Sequence, residues 1–211
     1  MGTVKEQELS QQRREHVRNG NNMLLSPPPG NVVSPFQRIA YLFVIFSFVG
    51  YVFESAIFPL YYGYFRPFAG PLHGPWLTIY GFGALALIFM LGNLSQRKLL
   101  FANFDFKPMV IYFLTALIAA VIEYFTHWFL EYYFNFSKWD YSGEAFNLNG
   151  RIYLFGTLMF ALLGTASLYF LVPLIDRFLA KLSKTQHQLL YLLVVGSFVL
   201  DCVFSFALLL L

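Results

Sequence analysis

Five stretches of this chain are each long and apolar enough to cross a lipid bilayer, and that constrains everything else it can fold into. They run from Ile39 to Tyr62, Trp76 to Leu94, Pro108 to Phe134, Ile152 to Ile175 and Gln188 to Leu211. Each comes close to or exceeds the ~20 residues that span ~30 Å of hydrocarbon at about 1.5 Å per helical residue. Hydrocarbon offers no partner to a backbone N–H or C=O, so a single spanning segment must satisfy its own backbone as an α-helix. Only 12% of the residues are charged and 58% are hydrophobic, where a soluble domain carries roughly 25% charged residues. A soluble protein of this composition would have too little polar surface to cover itself. Tyr61, Tyr62, Trp76, Tyr132 and Tyr133 stand at the segment ends, where amphipathic rings suit the headgroup region. The expected fold is therefore an all-α polytopic integral membrane protein with five transmembrane helices and two re-entrant or lid-like outer loops. Residues 1–35 are expected to form a polar cytoplasmic tail and 36–211 the five-helix domain. The second span is the shortest and holds Gly81, Gly83 and Gly92, so it is expected to pack closely against a neighbour.

The distribution of Lys and Arg sets an orientation. Of the 14, eleven fall before the first span or in the connections 95–107 and 176–187; only Arg66, Lys138 and Arg151 fall in the other two connections. Positive charge is retained on the cytoplasmic side, so the N-terminus is expected inside a cell membrane and the C-terminus outside. The net charge of +3 thus reads as topology, and no nucleic-acid partner is expected. The N-terminal stretch lacks a short apolar core with a small-residue cleavage site and reads as a tail, not a signal peptide. Ser26-Pro27-Pro28-Pro29-Gly30 interrupts any helix there.

Polar side chains inside spans are costly and each needs a reason. Glu54 lies toward the outer end of the first span. Glu123, His127 and Glu131 follow one another at i, i+4, i+8 in the third, so one helix face carries all three. Asp201 sits in the middle of the fifth. The outer connections add His73, Asp140 and Arg151. In this half, the acids Glu54, Glu123, Glu131, Asp140, Glu144 and Asp201 outnumber the bases Arg66, Lys138 and Arg151. Such a pocket favours a cation, a proton or an ammonium-bearing headgroup, unless burial keeps some carboxyls protonated. The structural alternative is that Glu54 and Asp201 pair with Arg151 or backbone donors and hold helices together. His73, between Pro71 and Pro75, reads as a loop residue. In the second outer connection, Trp139, Tyr141 and Phe146 are expected to anchor at the interface, while Asp140, Asn147, Asn149 and Arg151 point into a polar cavity under a folded-back lid. Gly143 and Gly150 permit its turns.

Several chemistries find no signature. Cys202 is the single cysteine, so neither an internal disulfide nor a cysteine zinc cage is expected. There is no P-loop, no His-Glu-x-x-His and no G-x-S-x-G elbow.

Three blocks carry a resemblance. They are Gly50-Tyr51-Val52-Phe53-Glu54; Gly74-Pro75-Trp76-Leu77-Thr78-Ile79-Tyr80-Gly81-Phe82-Gly83-Ala84; and Trp139-Asp140-Tyr141-Ser142 with Phe146-Asn147-Leu148-Asn149-Gly150-Arg151-Ile152. Together with Glu123-Tyr124, Glu131 and Asp201, they resemble the ABC-transporter type IV, or CmpB-like, membrane-protein family from about Phe43 to Ser205. The chain departs from that pattern at Tyr51, Ala69 and Thr78. The resemblance implies a permease-like subunit whose ATPase is a separate chain docking at 95–107 and 176–187.

The expected function is that of a small transporter-like protein with an acidic, outward-facing pocket for a cationic or zwitterionic solute or lipid headgroup. Its expected contacts are Glu54, Tyr80, Glu123, His127, Glu131, Asp140, Asn147, Asn149, Arg151 and Asp201. Membrane lipids and the ATPase are the expected partners, with no cofactor and no bound metal. The alternative is an intramembrane hydrolase or transferase acting on lipid or peptide, with Glu123, His127 and Glu131 as acid/base groups or metal ligands. A third reading is a scaffold whose polar groups are all paired.

Overall fold

The computed structural model describes residues 33–62, 72–96, 100–101, 104–137 and 139–209. Residues 1–32 of the expected tail, and Arg66, Arg97, Lys98 and Lys138, lie outside these residues, while Pro35, also expected in the tail, begins the first helix. The helices are α1 (Pro35–Tyr62), α2 (Thr78–Gln96), α3 (Lys107–Phe134), α4 (Leu154–Ala166), α5 (Val172–Ala180) and α6 (Lys184–Leu209). A π-helical turn, Ser167–Leu171, joins α4 to α5. Among the described residues, five helical segments are long and apolar enough to cross a membrane, the fourth running from Leu154 through Ala180. The chain is a multi-pass α-helical membrane protein.

Local chemistry explains where the helices begin and end. Ser34 and Gln37 form a reciprocal cap: Gln37 N–H donates to Ser34 Oγ at 3.3 Å, and Ser34 N–H donates to Gln37 Oε1 at 3.0 Å. Ser183 and Gln186 repeat the same box ahead of α6. Pro35 follows the first cap at a position where a missing N–H costs nothing. Helix α3 ends at Asn135 in the left-handed region, φ 50°, where its N–H donates to the Glu131 carbonyl at 3.1 Å and Phe136 N–H to that of Leu130 at 3.3 Å. The π turn lies just before Pro173, which offers no N–H to the Tyr169 carbonyl, so a wider turn fits there. The fourth span was expected to stop at Ile175. It continues because Asp176 is charge-paired and therefore tolerated within a helix, as described below.

The chain folds as two compact units. The first comprises α1, the beginning of α2, α5 and α6. Tyr41, Leu42, Val44, Ile88, Val172 and Leu179 are buried in it. Helices α1 and α2 approach closely at Gly81, where a Cβ would lie 2.7 Å from the Phe43 carbonyl oxygen. Gly50 of α1 packs likewise against the Tyr80 ring. Gly83 differs from the expectation: among the described residues, nothing lies within 4 Å of where its Cβ would be.

The second unit comprises the end of α2, a short hairpin of β1 (Leu100–Phe101) with β2 (Phe104–Asp105), α3, the hairpin of β3 (Asn147–Leu148) with β4 (Ile152–Tyr153), α4 and the π turn. Helices α3 and α4 pack along their lengths over Ile111, Thr115 and Ala161, with Tyr112 Oη donating to the Leu158 carbonyl at 3.1 Å. The segment expected to fold back as a lid contains a tight hairpin. Asn149 and Gly150 both have positive φ, 53° and 67°, and Arg151 N–H closes the turn on the Leu148 carbonyl at 3.1 Å. That is a type I′ turn, for which Asn-Gly is favoured. At Gly150 a Cβ would also meet Asp140 Oδ1 at 2.8 Å.

Candidate functional site

In the second unit, Tyr124, His127 and Glu131 lie at i, i+3 and i+7 on α3, hence on one face. The loop between α3 and β4 meets that face. Arg151 places Nη2 and Nε on the same Glu131 oxygen, Oε2, at 2.6 and 3.1 Å. It donates through Nη1 to Tyr124 Oη at 3.0 Å, and its guanidinium carbon lies 5.2 Å from that ring's centre. Asn149 Nδ2 donates to the same hydroxyl at 2.9 Å. Glu131 beside it raises the Arg151 pKa, chiefly through the hydrogen bond. Both guanidinium bonds use Oε2, so Oε1 takes neither, and half of the Glu131 side chain is exposed.

His127 is 5% exposed. Its Nε2 lies 2.8 Å from Ser137 Oγ, and Ser137 Oγ donates to the Trp139 carbonyl at 2.8 Å. The Trp139 ring covers the imidazole with centroids 5.2 Å apart, and Trp139 Nε1 donates to the Arg151 carbonyl at 2.9 Å. Asp140 and Asn147 organise the loop itself. Asp140 Oδ1 accepts from Ser142 Oγ at 2.6 Å and Ser142 N–H at 2.9 Å, which holds its carboxyl below the usual carboxylate range. Asn147 Nδ2 donates to the carbonyls of Glu144 and Ser142, and its Oδ1 accepts from Gly150 N–H. Glu123 stands one turn before His127 on α3.

The first unit holds further polar groups. Tyr80 Oη donates to Glu54 Oε1, which joins α2 to α1 above Gly50. Asp201 Oδ2 accepts from Gly74 N–H at 3.0 Å. Ser205, one turn on, accepts from His73 N–H at 3.2 Å and lies 2.8 Å from His73 Nδ1. His73 is thus a loop residue, as expected, and with Gly74 it ties that loop to α6. Elsewhere in this unit Arg38, 2% exposed, makes a bidentate pair with Asp176: Nε to Oδ1 at 2.7 Å and Nη2 to Oδ2 at 2.8 Å. Tyr41 Oη donates to the His187 carbonyl at 3.1 Å.

The structural alternative offered Glu54 and Asp201 as possible partners of Arg151; the carboxylate that Arg151 engages is Glu131. Reach explains the choice, because the type I′ turn delivers Arg151 to the α3 face that carries Tyr124 and Glu131. Ser137, Ser205 and the Arg38–Asp176 pair were not anticipated. Ser205 had a signal, its i+4 spacing from Asp201; Arg38 and Asp176, 138 residues apart, had none. Among the described residues, no three His, Cys, Asp or Glu side chains gather as a metal site.

No curated protein and no solved structure matches the chain. A family model described as "Putative ABC-transporter type IV" matches residues 41–206. That match overlaps all five spans and takes in both polar sets apart from Arg38, and the chain belongs to this family of ABC-transporter-like membrane components.

Proposed function

We propose that the chain is a transporter-like membrane subunit that recognises a cationic or zwitterionic solute or lipid headgroup at Glu131, Arg151 and Tyr124. The observation that supports this is the Glu131 carboxylate, half exposed and with Oε1 taking neither guanidinium bond. An ammonium group placed on Oε1 gains a charge-assisted hydrogen bond, and Arg151 offers a guanidinium to the anionic part of a zwitterion. The proposal includes the topology read from the Lys and Arg distribution, with this site outward and a separate ATPase chain docking at 95–107 and 176–187.

The test is equilibrium binding of choline and phosphocholine to the purified full chain. Glu131→Gln keeps the side-chain shape and removes its charge, so affinity for both should fall roughly tenfold or more. Arg151→Gln should weaken phosphocholine more than choline. Absence of saturable binding of either probe, or unchanged affinity in Glu131→Gln, overturns the assignment.

A further inference from the structure

Helix α5 has two unlike sides. Val172, Ile175 and Leu179 are buried, while Leu174 and Phe178 are 61% and 53% exposed, with Arg177 and Lys181 also exposed. Leu174, Arg177, Phe178 and Lys181 follow at i, i+3, i+4 and i+7, and the last turn closes with Lys181 N–H donating to the Phe178 carbonyl at 3.1 Å. The four therefore form one outward stripe. Helix α5 ends at Ala180 and α6 begins at Lys184. Both belong to spans, so the three residues between them mark a membrane boundary. The stripe runs from hydrocarbon at Leu174 to headgroup level at Arg177 and Lys181. Side chains lean toward a helix's N-terminus, which turns Phe178 toward hydrocarbon, while the longer bases reach back to water.

The positive charge here has no counterpart. Asp176 is the one acid between Val172 and Gln188, against Arg177, Lys181 and Lys184, and both its oxygens are held by the buried Arg38. Among the described residues, no carboxylate pairs with any of these three bases. The end of α5 offers a partial charge of about −0.5, too little to balance them. We infer that Arg177 and Lys181 bind the phosphate of an anionic phospholipid whose acyl chains lie along Leu174 and Phe178. The guanidinium offers phosphate a bidentate fork, and the lysine adds a point charge. With Asp176 engaged, the stripe presents no carboxylate to an ammonium group. It therefore prefers a headgroup of net negative charge to a choline headgroup, the reverse of the site at Glu131. A water-soluble ATPase approaching the same connection meets residues 181–184 but does not reach Leu174 in hydrocarbon, so a lipid fits the whole stripe better than a protein. The inference goes beyond solute recognition at Glu131 and does not rest on it.

The measurement is native mass spectrometry of the full chain after titration in detergent with dioleoyl-phosphatidylglycerol or dioleoyl-phosphatidylcholine. The parent should retain phosphatidylglycerol saturably, at roughly tenfold lower lipid concentration than phosphatidylcholine. Arg177→Gln with Lys181→Gln should weaken that retention roughly tenfold or more. Arg97→Gln with Lys98→Gln removes the same charge from the other basic connection and should leave it unchanged. Excess glycerol 3-phosphate should not displace the lipid, because it lacks the acyl chains; displacement would make this a site for soluble phosphate and overturn the lipid assignment. Equal retention of the two lipids by the parent, or equal loss in the two double variants, also overturns it. Should the first double variant fail to fold, Arg177→Gln and Lys181→Gln taken singly decide: each should lower phosphatidylglycerol retention, and unchanged affinity in both overturns the inference.

Discussion

Two glycines in one helix had equal standing in the sequence and have opposite roles in the structure. Gly81 sits where α1 leaves no room: a leucine there meets the Phe43 backbone, which cannot rotate aside. Gly81→Leu should cost about 1–3 kcal/mol as overpacking, read as a lower melting temperature in detergent. Gly83 faces open space, so Gly83→Leu should leave the melt within ~0.5 kcal/mol or raise it slightly through helix propensity. The periodic pattern of a span marks small residues without saying which neighbour they face. Asp140 carries a second expectation at this scale. Its folded pKa is depressed, first by the Ser142 hydroxyl and then by the Ser142 N–H. Its contribution is therefore complete above the ordinary aspartate value of about 3.9 and is lost as pH falls through the lower folded value. Protection of the Ser142 amide, taken against its intrinsic exchange rate at each pH, should fall over that acid window in the parent. In Asp140→Asn, which keeps an acceptor but not the charge, that pH dependence should vanish.

At the scale of the helix, start signals were written plainly: Ser34-Pro35-Phe36-Gln37 and Ser183-Lys184-Thr185-Gln186 are both serine-to-glutamine boxes, and both close reciprocally. What was not written is the tie between α1 and α5. Taking Arg38 as a topogenic charge and Asp176 as part of a connection follows from reading each segment alone. The structure buries the guanidinium and gives it both oxygens of Asp176. Removing the carboxylate leaves that buried cation without its bidentate partner, so Asp176→Ala should cost about 3–5 kcal/mol of stability. The double change Arg38→Met with Asp176→Leu should recover most of the loss, since apolar packing often replaces a buried pair without penalty. Thermal unfolding of the three proteins in one detergent provides the comparison; a double variant no more stable than Asp176→Ala would mean the pair is needed for more than charge balance.

For the whole molecule, the eleven-to-three division of Lys and Arg makes sidedness testable. With Cys202 replaced by alanine, a cysteine at Ser142 should react with an impermeant maleimide from outside intact cells, and one at Ser183 should not; both positions are exposed in the structure. The reverse labelling would turn the proposed site toward the cytoplasm. Segment number and helical class were legible because they depend on properties each segment holds by itself: length, apolar content and the need of a backbone in hydrocarbon to bond internally. Membership of a family was legible because the Trp139–Ile152 block is long, polar and contiguous. The carboxylates of Glu54, Glu131 and Asp201 could be singled out as costly, yet not assigned partners. Tyr80, Arg151 and the Gly74 amide with Ser205 were chosen by which helix faces meet and by a type I′ turn that aims one arginine. Intrinsic hydropathy and local capping are thus determined by the chain alone. Pairings across 20 to 138 residues were decided only by the tertiary structure, because they depend on distances and side-chain directions that no single segment encodes.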